Sequence, residues 1–269
     1  MSTNDYAYKL RVTNPLLEPV MRQAIQSLEL PRGSRGLDAG CGLGLQALLL
    51  AAATGPGGRV TGLDISPSFL VDARRMALGT DLPTQLNFCQ GSIDHLPFNN
   101  GAFDWLWSAN CVGYPVRQPL AILGELARVI RPGGILAVLV WSTQMLLPGH
   151  PQLEAKLNAT VSGVAPFRAG MAPEQHSLRL LGWFLRAGLV ECSVQTFAGT
   201  AYAPLGEAER AALAALIEMR WKGTEPELSA KDRAGFQRLC QPDSPDYILN
   251  LPDYYAYFTC SMFCGRVPY

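Results

Sequence analysis

The sequence predicts a doubly wound α/β domain, a mostly parallel sheet covered by helices. Three observations carry that prediction. Strand-like apolar runs alternate with helix-like segments through the middle of the chain. A glycine-rich loop, Asp38-Ala39-Gly40-Cys41-Gly42-Leu43-Gly44, joins the first such run to a helix. Ile135 to Trp141 is continuously apolar, as a central strand buried on both faces requires.

Taken in order, residues 16–30 show helical periodicity, and Pro31, Gly33 and Gly36 punctuate the approach to a first strand ending at Leu37-Asp38-Ala39. Leu43 to Ala53 reads as a buried helix closed by Gly55-Pro56-Gly57-Gly58. Arg59 to Ile65 is a second strand. Ser66-Pro67 supplies an N-cap and a first-turn proline for a helix running to about Leu78. Leu86 to Gly91 is the third strand, the loop 92–102 follows, and Phe103 to Trp107 is the fourth. Ala121 to Ile130 is an amphipathic helix stopped by Arg131-Pro132-Gly133-Gly134, ahead of the central strand Ile135 to Trp141. Residues 143–173 form an irregular, proline- and glycine-rich insertion with one short helix. Glu174 to Ala187 is helical with Gly188 as C-cap, and Leu189 to Phe197 is a sixth strand. Residues 204–253 are a second, helical insertion, and Tyr257 to Val267 closes the chain as a strand.

The expected organisation is one domain over residues 1–269. Residues 33–142 form its ligand-binding half, 1–32 a helical lid, and 143–173 and 204–253 insertions that complete the acceptor side.

Composition narrows the function. Apolar residues make up 48% and charged residues 16% of the 269, ample for a dry core. Cations and anions balance at 22 each, so the clustered positive excess that a nucleic-acid binder needs is missing. No window reaches the roughly 20 apolar residues of a membrane span. The polar N-terminal stretch lacks a signal-peptide core, and a cytoplasmic protein is expected. Cysteines at 41, 89, 111, 192, 240, 260 and 264 include no C-x-x-C pair and read as reduced packing residues; no metal site is expected.

The glycine loop has two candidate guests. Glycines let a backbone turn tightly and approach a ligand, and amides at a following helix start favour negative charge. Gly42-Leu43-Gly44-Leu45-Gln46-Ala47 formally satisfies the G-x-G-x-x-A dinucleotide fingerprint. Asp64, 20 residues beyond Gly44, suits the ribose diol of either guest. Asp38 separates them. A carboxylate just ahead of the glycines repels a pyrophosphate and welcomes a ligand with a sulfonium and an ammonium. That favours S-adenosylmethionine.

At this point the sequence resembles the class I methyltransferases, in particular the small-molecule group that includes quinone- and sterol-methylating members. Leu37 through Gly44 is similar to the family's first motif, and Val60-Thr61-Gly62-Leu63-Asp64-Ile65 to its second strand with the ribose acid. Gly91 through Phe98 and on to Phe103-Asp104 is similar to its adenine loop, and Glu125 through Gly134 to the helix and turn before its fifth strand. The resemblance implies a seven-stranded sheet with the last strand antiparallel and methyl transfer from S-adenosylmethionine. It implies cofactor contacts at Asp38, Ala39, Gly40, Gly42, Asp64, Ile65, Gly91, Ser92, Ile93 and Asn110. Where the family often has Asp after Gly91, this chain has Ser92, with Asp94 two residues on. Phe263 through Val267 is similar to the family's final strand.

Methyl transfer needs alignment of acceptor, methyl and sulfur, and a base only for some acceptors. Ligands of such sheets bind beyond the carboxyl ends of the strands, which puts Ser108 through Tyr114 beside the transferable methyl. Tyr114, His150 and His176 are the candidates for orienting or deprotonating a small-molecule acceptor, while Trp183 and Trp221 read as packing residues. Gly40→Val is expected to fill the ligand's volume. Three rivals stand beside this reading: an S-adenosylmethionine-binding enzyme of another reaction, an NAD(P)-dependent oxidoreductase, and a non-catalytic cofactor-binding module.

Overall fold

The computed structural model describes residues 3–82, 84–112, 118–167 and 170–269. Its strands are β1 (Arg35–Ala39), β2 (Arg59–Asp64), β3 (Leu86–Gln90), β4 (Phe103–Ala109), β5 (Ile130–Met145), β6 (Val190–Tyr202) and β7 (Tyr255–Arg266). They form one seven-stranded sheet in the order β3-β2-β1-β4-β5-β7-β6. The pairs β1–β2, β1–β4, β2–β3 and β4–β5 are parallel, and β7 runs antiparallel to its neighbours. Cross-strand partners show that reversal: Glu191 meets Arg266 and Thr196 meets Ser261, so one strand counts up as the other counts down.

The helices are α1 (Thr3–Ser27), α2 (Leu45–Thr54), α3 (Pro67–Leu78), α4 (Pro119–Arg128), α5 (Pro151–Asn158), α6 (Leu180–Arg186), α7 (Glu207–Trp221) and α8 (Ala230–Cys240). Among the described residues no helix is long and apolar enough to cross a membrane.

Two compact units are present. The larger comprises Met21–Trp141, Ala172–Phe197 and Cys260–Tyr269. One of its cores joins Leu37, Leu63, Leu106, Leu136 and Val138 of the strands to Leu123 and Leu126 of α4 and Trp183 and Phe184 of α6. Each such fully buried side chain contributes about 1.5–3 kcal/mol. The opposite face of β1 and β4 is packed as tightly. The Trp105 ring lies where a Gly36 side chain would stand, so position 36 admits no Cβ.

The smaller unit comprises Met1–Val20, Ser142–Met171 and Ala198–Thr259. Its buried Glu154 accepts the Leu146 and Leu147 amides at 2.8–2.9 Å, and Tyr254 donates to the Leu146 carbonyl at 3.0 Å. Trp221 is wholly buried and donates to Asn158 at 3.0 Å. Lys9, 3% exposed, is offset by Glu218 at 2.7 Å.

Three segments differ from expectation. The N-terminal helix starts at Thr3 and runs over Pro15 and Pro19, because its stripe of Leu16, Val20, Met21, Ala24 and Ile25 is buried and offsets the lost amide bonds. The strand expected over 135–141 spans Ile130–Met145, since the Gly133 amide and the Gly134 carbonyl bond Val267 and keep the Pro-Gly-Gly stretch in the ladder. The helix expected over 174–187 is confined to Leu180–Arg186 behind two 3-10 turns. There the Trp183 indole donates to the Glu174 carbonyl at 2.7 Å and folds the segment back.

Candidate functional site

The carboxyl ends of β1, β2 and β4 bring the glycine loop, Asp64 and Asn110 together. Gly40, Gly42 and Gly44 all have left-handed backbone, with φ of 82°, 53° and 77°. An L side chain is strained there, and glycine is not. The amides of Gly40 and Cys41 both donate to the Leu63 carbonyl, at 2.8 and 2.9 Å, and the Gly44 amide to Cys41 at 2.9 Å. The Gly42 amide donates to Asp64 Oδ2 at 2.8 Å. These four donors are therefore spent within the protein. Those four amides are closed to an anion, and the acid just ahead of them disfavours a diphosphate.

Asp64 is held from both sides, with Oδ1 accepting the Ser66 amide at 2.8 Å. Each carboxylate oxygen has a second lone pair, so this fixed group still suits a vicinal diol. Beside it Ile65 is 69% exposed, an apolar surface of the kind a flat ring covers.

Asp38 is the chemical centre of the site. It is 1% exposed, and neither carboxylate oxygen has a hydrogen-bond partner among the described residues. Burial, and then the charge of Asp64, push its pKa up to about 8. An orphaned buried acid calls for a cation or a donor from elsewhere. The ammonium of S-adenosylmethionine fits that demand, and a phosphate does not.

The glycines divide by role. Among the described residues a Cβ on Gly42 would meet nothing within 4 Å, so that side of the loop is open to a ligand. A Cβ on Gly40 would clash with Cys111 Sγ. A side chain at Gly40 thus collides with the protein first, and the expectation that valine there intrudes on ligand volume is corrected. A Cβ on Gly91 would lie 2.8 Å from Leu63 Cδ1, so glycine there serves packing, while its amide donates to the Asp64 carbonyl.

The remaining sequence-derived residues sort by geometry. Ala39 is wholly buried in the core, and its carbonyl accepts the Ser108 hydroxyl at 2.7 Å. Ile93 packs partly buried against the same core. The Ser92 hydroxyl donates to Asp94 at 3.2 Å and accepts the Asp94 amide, so hydroxyl and carboxylate form one local turn. Asn110, left-handed at φ 50°, accepts the Trp141 amide at 2.8 Å and ties β4 to β5. Tyr114 lies outside the described residues. His150, in the smaller unit, precedes α5, and its carbonyl accepts the Glu154 amide. His176 Nδ1 accepts the Leu178 amide at 3.2 Å, so that nitrogen caps a 3-10 turn.

Sequence reasoning gave no role to the pair that holds the third-strand loop. Glu125 accepts the Leu96 amide at 2.7 Å and pairs with Arg128 at 2.8 Å. Arg128 also donates to Phe98, Asn100 and Leu96. Arg128 holds the Glu125 carboxyl down at about 2. The i,i+3 spacing on a predicted helix was the available signal. All seven cysteines are free thiols, and burial raises those of Cys41 and Cys111 beside the loop.

A seven-stranded sheet of this order, with a glycine loop over a buried acid and a second acid closing β2, defines the class I, Rossmann-like methyltransferases, whose cofactor is S-adenosylmethionine. Residues 37–134 match the methyltransferase domain family. The demethylmenaquinone methyltransferase of Bacillus licheniformis is 33% identical over 115 residues, 42% of this chain and 47% of that protein. The chain thus spans about half the length of the curated relatives it matches. An S-adenosylmethionine-dependent methyltransferase of Aquifex aeolicus shares the fold at a TM-score of 0.53 and 15% identity, over 97% of each chain. The [4+2]-cyclase SpnF does so at 0.50 and 20%, over 96% of this chain and 81% of that one.

Proposed function

We propose that this chain transfers the methyl group of S-adenosylmethionine to a small-molecule O, N, S or C nucleophile. One observation carries the reading: the buried, unpartnered Asp38 carboxylate lies under a loop whose Gly40, Cys41, Gly42 and Gly44 amides are already satisfied. That arrangement rewards a cationic ligand and offers little to a phosphate.

When bound, the cofactor supplies a methyl group already activated by positive sulfur. Asp38 would meet its ammonium, Asp64 its ribose, and Ile65, Ser92, Ile93 and Asp94 its base, while the open side of Gly42 leaves it room. Asn110 would contact its amino-acid end. These residues bind and orient, and in-line alignment is the larger part of the catalytic task. Tyr114, His150 and His176 are our candidates for handling an acceptor proton; for His176 that role would fall to Nε2. Acceptor recognition is assigned to the segments 1–32, 143–173 and 204–253. The exposed Tyr6, Tyr8, Tyr202 and Tyr255 of the smaller unit give it apolar, flat contact surface.

The likeness to a cyclase favours keeping a second reading, in which the same cofactor site serves another reaction. Incubation with S-adenosylmethionine and a panel of quinol, phenol, amine and thiol acceptors separates the two. Formation of S-adenosylhomocysteine in step with a methylated product is expected. Turnover of an acceptor with no S-adenosylhomocysteine would establish the second reading instead.

A further inference from the structure

We propose that Trp107 is a positioning residue of the cofactor site, its indole N–H acting on the Asp38 carboxylate. This rests on the reading that Asp38 receives the cofactor's ammonium. Register places Asp38 opposite Trp107 in the parallel pair β1–β4, so both side chains leave the same face of the sheet. The pair one step earlier shows how this face is built. Trp105 lies across Gly36, and its indole donates to Ser34 Oγ at 2.9 Å. That tryptophan is satisfied.

Trp107 is not. It is wholly buried, and its Nε1 has no hydrogen-bond partner among the described residues. A donor-only indole and an acceptor-only carboxylate are thus neighbours on one face, each orphaned and each costly alone. They do not bond directly in this structure, and the interaction that reconciles them is a charge-assisted hydrogen bond carried through one water. Among the described residues, the other titratable groups acting around Asp38 are Asp64 at the end of β2, Cys41 in the loop and Cys111 after β4. Asp64 opposes the Asp38 charge, and both thiols are held protonated, so the indole is the neighbour that favours the ionised acid. A phenylalanine would fill much of the same space without that donor.

The test is titration calorimetry with S-adenosylmethionine across neutral to mildly alkaline pH, for the wild type, Trp107→Phe, Asp38→Asn and the double variant. Loss of a hydrogen bond to a charged group predicts roughly tenfold weaker binding for Trp107→Phe, with its affinity-versus-pH midpoint moved upward. In the Asp38→Asn background the same change is expected to cost far less and to shift no midpoint, because only a neutral amide oxygen is left to accept the N–H. A space-filling role would give an equal penalty in both backgrounds and no midpoint shift, which overturns the proposal. Wild-type affinity in Asp38→Asn would sink the underlying site assignment as well. The wild-type chain offers a check that needs no variant. In a 15N-indole spectrum, one of the five tryptophans should titrate together with Asp38 and shift when S-adenosylmethionine is added; no such resonance refutes the idea.

Discussion

Asp64 holds the glycine loop with its own carboxylate, Oδ2 accepting the Gly42 amide at 2.8 Å. One side chain therefore orients the loop and is our candidate for the ribose. Asp64→Ala should weaken S-adenosylmethionine binding by about 1–3 kcal/mol and lower the melting temperature of the free protein, since two backbone donors lose an ionised acceptor. Calorimetry and thermal melting read the two effects separately. Unchanged affinity would remove Asp64 from the ribose site.

Gly42→Ala and Gly40→Ala should fail differently. At Gly42 a methyl group meets none of the described residues, so the cost to folding is the left-handed strain of about 1–2 kcal/mol, while ligand room is lost. At Gly40 the methyl group strikes Cys111 Sγ. Gly40→Ala should lose more stability, and Cys111→Gly should restore part of it. Melting curves that rank the two variants the other way would contradict this division.

Asp38 links both stability and binding to pH. Its pKa in the fold, about 8, lies above the ordinary 3.8, so the folded state holds a proton that the unfolded chain has shed. The sign follows: this residue costs increasing stability as pH rises from about 4 to about 8, and the cost is constant above that. Asp38→Asn should therefore melt higher than the wild type at alkaline pH, with the gap closing toward pH 4. Cofactor affinity should move oppositely, rising toward pH 8 in the wild type as the acid ionises, and losing that acid-side dependence in Asp38→Asn. A gap in melting temperature independent of pH would show that Asp38 is not a protonated buried acid.

Glu125 titrates the other way. Arg128 holds its carboxyl at about 2, so its stabilisation is complete above the unfolded value near 4.3 and is lost as pH falls toward 2. Arg128→Ala should free the loop 96–100 and cost about 1–3 kcal/mol, because four acceptors lose a charged donor. Hydrogen exchange of the Leu96 amide is the direct measurement, and unaltered protection would assign the loop's order to other contacts.

Much of the sheet was legible in the chain. Strands β1 to β3 fall where the apolar runs end in glycine or acid, because burial pattern and turn chemistry are both local. The loop from Asp38 to Gly44 was recognisable for the same reason. Local signals failed where distant partners decide. Trp183 reaches back to Glu174 and shortens a helix that periodicity alone would extend. Val267 draws Gly133 and Gly134 into β5. Cys111, not a ligand, claims the space beside Gly40.

The order of residues by itself determined that this is an α/β chain with an acid ahead of a glycine loop, and with a second acid closing the next strand. Both follow from side-chain period, backbone freedom and charge, which neighbours along the chain already express. Only the tertiary structure decided what that first acid experiences. Burial and an absent partner are properties of the packed sheet. They turn Asp38 from an ordinary surface-type carboxylate into a group whose charge depends on what binds it, and they set Trp107 beside it from a strand some seventy residues away.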